Sequence, residues 1–271
     1  MAKSKVRFGS YYPAESVIHS LDPRAKLVGL IIYIIAVFVA NSYTLFALLY
    51  LFGAAVIVAS RVPLSKVMKS IRGVLILLIL TGVLNIFFTP GENVLWEWGV
   101  LKITVEGLNK GALMVLRLIG LIAFSAILTL TTTPILLSDG IESLFKPLKR
   151  IKVPVHEFAM MMTIALRFIP ILMDEADKIM KAQRSRGGDL SSGSISKRVK
   201  GIIAIIIPLF FNALKRADDL ALAMEARGYE GDNGRTKLRQ LKWTGKDTIA
   251  MVLVCVLAVA VVVMRFTLNL I

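Results

Sequence analysis

The chain has 271 residues, of which 56% are hydrophobic, and its formal net charge at pH 7 is +15. This apolar fraction exceeds the ~45–50% of soluble domains, so the composition excludes an ordinary soluble protein and indicates an integral membrane protein. In a membrane protein, an excess of Lys and Arg first indicates cytoplasmic loops rather than nucleic-acid binding. The single cysteine, Cys255, excludes a disulfide within the chain.

Hydropathy predicts four membrane-spanning helices in the first half of the chain. The first opens at Asp22-Pro23, because a carboxylate can cap a helix and Pro is tolerated in the first turn. It follows a basic lead-in of residues 1–21, which we expect on the cytoplasmic side without a cleavable signal. The expected bounds of the four spans are about 23–40, 45–59, 73–88 and 108–132.

The stretch 89–107, between the third and fourth predicted spans, differs from the rest in composition. It carries acidic residues together with Trp96 and Trp98, and indole rings favour the membrane interface. Within it, residues 100–105 are typical of a short strand or ribbon. We therefore expect this stretch on the non-cytoplasmic side.

The region 134–247 is strongly basic, with 20 of the 33 Lys and Arg residues. It opens at Thr133-Pro134, which predicts an amphipathic helix to about Arg150. Its apolar runs are short and interrupted, at Pro170 and Pro208 among other positions.

Two topologies are open for this region. If 155–173 and 202–214 also span, the segment 174–201 between them lies on the non-cytoplasmic side. It carries seven basic residues, which is against the positive-inside rule. If neither spans, every basic loop lies on one side. We expect the second topology, an all-α membrane protein with about five spans, a cytoplasmic N-terminus and a non-cytoplasmic C-terminus. The expected domains are a four-span domain 1–133, a cytoplasmic helical module 134–247 and a last transmembrane helix within 248–271.

Two stretches, 176–187 and 217–228, share one pattern. Each begins with Ala-Asp, has an inner Ala at the same spacing (Ala182 and Ala223) and ends with a small residue, Arg and Gly. Both predict helices, and the Gly is typical of a helix end. The plain alternative is that Arg-Gly only ends a helix, but capping does not require the matched positions upstream. The candidate site is Ser185, Arg186, Gly187, Ala226, Arg227 and Gly228.

Arg117 is the only basic residue deep within a predicted span. It could face a carboxylate, a partner or a substrate path, or it could be structural and pair with backbone carbonyls. A free-standing carrier or channel should line several spans with polar groups, and only Asn85 and Arg117 qualify. An intramembrane enzyme should show paired carboxylates or a nucleophile with a base, and none is convincing. A phosphate-binding loop and a metal-ligand cluster are also missing from the sequence.

With these features in hand, the chain resembles the transmembrane T component of energy-coupling factor (ECF) transporters, a group that includes the membrane subunits of cobalt and biotin importers. The C-terminal ends of the two stretches, Ser185–Gly187 and Ala226–Gly228, resemble the paired Ala-Arg-Gly signatures of that family. Ser185 departs from the pattern, because it stands in place of Ala. Further resemblances lie at His19–Leu27, at Ile103–Leu108 leading to Leu116-Arg117, and at Leu166–Pro170.

The resemblance implies a non-catalytic coupling subunit in a prokaryotic cell membrane. Two crossing cytoplasmic helices would insert their tips into two ABC-type ATPase subunits, which would bind ATP and Mg²⁺, while this chain binds no cofactor, metal or nucleic acid. A substrate-binding S component, which captures a vitamin or metal ion, would lie on the same module. The expected helix-packing and coupling positions are Ala182, Ala223, Pro170 and Pro208.

Overall fold

The computed structural model describes residues 11–98, 101–151, 153–187, 194–229 and 241–268. The chain divides into two compact units. The membrane unit comprises 9–144 and 241–271, and the helical module comprises 145–240.

Helices α1 to α7 and α10, with one hairpin, build the membrane unit. Their bounds are α1 Val17–Ser20, α2 Pro23–Val39, α3 Tyr43–Ser60, α4 Leu64–Arg72, α5 Leu75–Phe88, β1 Val94–Trp98, β2 Leu101–Thr104, α6 Val105–Thr131, α7 Pro134–Phe145 and α10 Gly245–Leu268. The module consists of a 3-10 helix, Lys146–Ile151, and two long helices, α8 Val155–Ser185 and α9 Ile195–Glu225.

The buried core of the membrane unit lies where α2, α3 and α10 meet. Leu45, Leu49 and Val261 are at most 1% exposed there. Tyr33 of α2 stacks on Phe124 of α6, with ring centroids 3.9 Å apart. Apolar side chains on the other faces of these helices are exposed, as expected of helices whose solvent is lipid.

The start of α2 is tied to the start of α10 by Asp247. Its Oδ1 accepts the backbone N–H of Asp22 at 2.6 Å, and its Oδ2 accepts the backbone N–H and the hydroxyl of Thr244 at 2.7 and 2.6 Å. Asp22 itself caps α2 by accepting the N–H of Arg24 at 2.8 Å, which confirms the predicted helix start. The two helices therefore begin at the same end of the unit.

At the opposite end, arginines from α10 and α6 bind the last carbonyls of α2. Arg265 donates to the Val39 oxygen at 3.1 Å, so α2 and α10 run parallel. Arg117 donates to the Ala40 oxygen at 2.8 Å, while Lys26 near the start of α2 donates to the Thr131 oxygen at 3.1 Å. Helix α6 therefore runs antiparallel to α2.

The N-terminal segment and the basic stretch after α3 lie at the end where α2 begins. Tyr12 donates its N–H to the Leu130 oxygen at 2.9 Å, and its side chain packs against the buried cluster that includes Val62 and Val67. His19 holds this segment, since its Nε2 lies 2.9 Å from the Tyr12 oxygen and its Nδ1 lies 2.7 Å from the Ser16 hydroxyl. Burial lowers the pKa of His19 below its usual value.

The predicted all-α membrane fold is confirmed. By length and composition, α3, α6, α8 and α10 can cross a membrane, and α4 with α5, bent by 60°, can form a fifth span. These candidate spans differ from the predicted spans in two helices. Helix α2 is a predicted span but has only 17 residues, and α8 is long and apolar enough to span although the sequence did not predict it to. The sequence predicts an interruption at Pro170, but α8 continues through this residue.

Two further elements differ from the sequence prediction. The predicted ribbon at 100–105 corresponds to β2, which pairs antiparallel with β1 in a hairpin that the sequence did not predict in full. The helix predicted to reach Arg150 ends at Phe145 and continues as a 3-10 helix. Pro147 explains this, because proline lacks an N–H and disfavours the α conformation in the residue before it.

The Asp247 junction provides a test of the membrane unit. Asp247→Ala leaves the buried N–H of Asp22 without its acceptor, at a cost of about 1–3 kcal/mol. It also removes two part-buried hydrogen bonds to Thr244, each worth about 0.5–1.5 kcal/mol. We expect the free energy of unfolding in detergent to fall by about 2–4 kcal/mol. Glu92→Ala removes an exposed carboxylate of the same unit and should change it by less than about 0.5 kcal/mol. Equal effects of the two variants would contradict this account of the junction.

Candidate functional site: two arginine-tipped helices

The two repeated stretches are the C-terminal ends of α8 and α9. Each helix has 31 residues and contains one interior proline, Pro170 in α8 and Pro208 in α9. The sequence predicted shorter helices because proline usually ends or kinks a helix, but both helices continue beyond it. At about 1.5 Å per residue, each is about 46 Å long.

The helix ends have the same backbone geometry. Gly187 has φ +82° and Gly228 has φ +69°, a left-handed conformation that favours glycine. The Gly187 N–H donates to the Arg184 oxygen at 3.0 Å, and the Gly228 N–H donates to the Glu225 oxygen at 2.9 Å. Each glycine therefore turns the chain sharply just after the arginine.

The tips are open to a partner. Ser185, Arg186 and Gly187 are exposed, as are Ala226, Arg227 and Gly228. Among the residues that the structure describes, neither Arg186 nor Arg227 forms an ion pair. The guanidinium groups therefore keep their forked donors free at the negative end of a helix dipole.

A polar cluster joins α8 to α9 between the two tips. Glu175 of α8 accepts the side-chain amide of Asn212 at 2.7 Å and pairs with Arg216 at 3.2 Å. Asn212 and Arg216 are four residues apart and so share one face of α9. These residues are not among those predicted from the sequence, although polar side chains at this spacing beside an apolar run are a signal for such a contact.

A second contact depends on Pro208. Proline has no backbone N–H, so the carbonyl of Ala204, four residues earlier, lacks its usual partner within the helix. The Gln183 side chain of α8 donates to this Ala204 oxygen at 3.4 Å. Pro208 therefore frees a backbone acceptor that α8 uses.

The two contacts fix the direction of the pair. Gln183 meets Ala204, whereas Glu175, earlier in α8, meets residues later in α9, so the helices are antiparallel. Arg186 follows Glu175 by 11 residues, and Arg227 follows Arg216 by 11 residues. Each arginine lies about 16 Å beyond the cluster, in opposite directions, so the tips are about 30 Å apart.

The remaining predicted positions lie outside these contacts. Ala182, Ala223 and Pro170 are exposed, and a role for them in close helix packing or coupling stays a prediction. Arg117 lies in the membrane unit, where its bond to the Ala40 oxygen gives it a structural role at the end of α2. Among the described residues, no group of three or more acidic, His or Cys side chains is placed to hold a metal ion.

The module also exposes large apolar side chains. On α8 they include Phe158, Met161 and Met162, each more than half exposed. On α9 they form a denser group: Ile202, Ile203, Ile206, Ile207, Phe210 and Phe211. Apolar surfaces of this kind mark contacts with another protein or with a membrane.

Comparison with known proteins identifies the family to which the chain belongs. A family model described as "Cobalt transport protein" (CbiQ) matches residues 14–238. Curated relatives named "Energy-coupling factor transporter transmembrane protein EcfT" include one from Ruminiclostridium cellulolyticum, 48% identical over 96% of this chain and 97% of that protein. Those from Bacillus subtilis and Limosilactobacillus fermentum are 48% and 46% identical and cover 95% and 98% of this chain, and 97% and 99% of their own lengths. The chain therefore belongs to the CbiQ family of transmembrane components of energy-coupling factor transporters.

Proposed function

We propose that this chain is the coupling subunit of an ATP-driven importer. It transmits the movement of two ATPase subunits to a membrane-embedded S component that captures a vitamin or a metal ion. ATP and Mg²⁺ bind to the ATPases, and this chain is not itself an enzyme. The observation that carries the proposal is the pair of matched, exposed arginine tips on one antiparallel helix pair.

Each tip has the chemistry of a protein docking point. Arg186 and Arg227 stand at helix ends with no ion-pair partner among the described residues, so each can fork onto a carboxylate in a groove of an ATPase subunit. Removing one partner of a buried, hydrogen-bonded charge pair costs about 2–5 kcal/mol. Two such contacts would anchor two subunits through the same motif.

The geometry of α8 and α9 fits a lever. The Glu175 cluster lies midway between the tips, and it joins the two helices through three charged or amide side chains. If the two ATPase subunits approach each other on binding ATP, the tips move with them and the helices rotate about this crossing. The exposed apolar side chains of α9 are then the surface that conveys the motion to the S component.

The membrane unit supports the five-span topology. Helices α2 and α10 run parallel, and two parallel spans must have an odd number of crossings between them. The crossings α3, the bent α4–α5 pair and α6 supply three. If α8 alone also crossed, α10 would be reversed. If α8 and α9 both crossed, the basic segment between them would lie outside, against the positive-inside rule. We therefore infer that both helices lie on the cytoplasmic side.

Charge supports the orientation. Arg61, which follows α3, donates to the Glu15 oxygen at 3.4 Å, so the basic stretch after α3 lies beside the N-terminal segment. The positive-inside rule then favours the cytoplasm for this end and for the N-terminus. The C-terminal end of α10 lies at the opposite end of the unit and is non-cytoplasmic.

A free-standing carrier or channel is less well supported. The two polar residues that could line a path are both bonded to nearby backbone. Asn85 donates to the Thr81 oxygen of its own helix at 2.9 Å, and Arg117 donates to the Ala40 oxygen. Each side chain therefore already serves the helix scaffold.

The docking role of the tips is tested by charge reversal. Arg186→Glu and Arg227→Glu replace a fork donor by a carboxylate, which would repel an acidic groove. We expect each variant to lower the amount of ABC-type ATPase that copurifies from native membranes by at least about 10-fold, and the double variant to abolish it. Membrane insertion of the chain should be unchanged, as measured by its recovery in the membrane fraction.

Arg184→Glu is the matched control, because Arg184 is exposed in the last turn of α8 but lies about 200° around the helix from Arg186. It should leave ATPase copurification close to the wild-type amount. Wild-type copurification by the Arg186→Glu, Arg227→Glu double variant would refute the docking role.

The lever geometry is tested by a distance measurement. Cysteines at Ser185 and Ala226, in a Cys255→Ala background, can carry spin labels, and we expect a label separation of about 30 Å from the antiparallel geometry. Glu175→Ala should broaden the distance distribution, because it removes the bonds of Glu175 to Asn212 and Arg216 and leaves only the weaker Gln183 contact. Asp177→Ala, which removes an exposed carboxylate of α8, should not. Equal distributions for the two variants would show that the cluster does not hold the crossing.

A further inference from the structure

Two arginines from different helices meet at the end of α2 in the membrane unit. The Arg117 guanidinium donates to the Ala40 oxygen at 2.8 Å, and the Arg265 guanidinium donates to the Val39 oxygen at 3.1 Å. Consecutive Cα atoms are only ~3.8 Å apart, so the two guanidinium groups lie on the order of 10 Å from each other. We call Arg117 and Arg265 the arginine pair.

The positive charge of the arginine pair exceeds the negative charge of the groups around it. Among the described residues, neither arginine forms an ion pair with a carboxylate. The carbonyls at a helix end carry only about half a negative charge in total. The Nε of Arg117 is buried without a hydrogen-bond partner, and its guanidinium lies 5.9 Å from the ring centre of Phe38. The site therefore has unused donors and an unmatched charge.

The depth of the arginine pair is set by the helices that hold it. Lys26 and Ala40 are 14 residues apart on α2, and their respective partners, Thr131 and Arg117, are 14 residues apart on α6. The two contacts are therefore about 21 Å apart along the helices. Arg265 lies 18 residues after Asp247, or about 27 Å along α10. A hydrocarbon layer is about 30 Å thick. By these distances, the backbone of Arg265 lies close to the boundary opposite to the start of α2, whereas that of Arg117 lies several ångströms inside it. A long arginine side chain can bring its guanidinium from this depth toward the headgroups.

A further cation extends the patch toward this boundary. Lys110 precedes Arg117 by seven residues, which places it on nearly the same face of α6 and about 10 Å closer to the start of that helix. Its side chain is exposed and makes no ion pair among the residues that the structure describes. Three cations thus lead from the membrane boundary to the end of α2.

We propose that the arginine pair binds the phosphodiester of an anionic phospholipid, as in phosphatidylglycerol. Each guanidinium has five N–H donors and uses one in its bond to α2, so donors remain for phosphate oxygens in the forked geometry that arginine favours. The surrounding helices expose apolar side chains on which acyl chains can lie. An anionic headgroup matches the unbalanced charge, whereas a choline headgroup would bring a further cation beside Lys110.

The full-length chain, purified and delipidated in detergent, is the sample for the test. Dioctanoyl phosphatidylglycerol, dioctanoyl phosphatidylcholine and sodium phosphate are added separately, and the unfolding temperature and the lipid retained in native mass spectra are measured. Phosphatidylglycerol should raise the unfolding temperature and stay bound. Phosphatidylcholine and free phosphate should do neither.

Arg117→Gln and Arg265→Gln should each weaken phosphatidylglycerol binding by at least about 10-fold, because a charged fork is lost. Arg265→Lys should retain part of it, since the charge remains. For each variant, the quantity compared is the rise in unfolding temperature on adding lipid. A variant that is less stable without lipid, because its bond to the α2 carbonyl is lost, does not by itself show a smaller rise. Arg72→Gln removes an exposed arginine of α4 and is the matched control.

Two results would overturn the proposal. One is a wild-type chain that responds equally to phosphatidylglycerol and phosphatidylcholine, or that responds as strongly to free phosphate. The other is an Arg72→Gln variant that loses as much lipid binding as Arg265→Gln. If the glutamine variants do not fold, the wild-type comparison and Arg265→Lys decide.

Discussion

The antiparallel contact of α8 with α9 is the constraint on which the functional account depends. It rests on the half-buried carboxylate of Glu175, whose two oxygens bind Asn212 and Arg216. The bond from Gln183 to the Ala204 oxygen is a second point of contact. Because the cluster is equally far in residues from both tips, it places the two arginines at opposite ends of the helix pair. An ion pair in the middle of apolar helices also contributes register, since a slip of one residue would leave Glu175 without either partner.

The sequence predicted much of the fold because its signals were local. Asp22-Pro23 marked a helix start, and the Gly residues after Arg186 and Arg227 marked helix ends, since each signal depends on backbone chemistry within one turn. The prolines misled for the same reason. A local reading treats Pro170 as a break, whereas a long helix tolerates the one lost hydrogen bond when its flanking turns are stable.

Contacts between distant residues could not be predicted in the same way. Asp247 ties the starts of α2 and α10 across 225 positions, and no sequence spacing indicates this. Arg117 could be recognised as unusual from its place in a span, but its partner, a carbonyl at the end of α2, carries no side-chain signature. Arg265 was missed entirely, because a basic residue near the end of a span is ordinary.

Arginine at the end of a helix is the feature shared by both units. In the module, Arg186 and Arg227 stand at the ends of their own helices, and exposure leaves their forks available to a partner. In the membrane unit, Arg117 and Arg265 reach the end of a different helix and give up one donor each. The negative end of a helix dipole stabilises a cation in both settings. The difference in surroundings then selects the ligand, because an exposed fork can bind a protein carboxylate, whereas a fork beside lipid meets the phosphate of a headgroup.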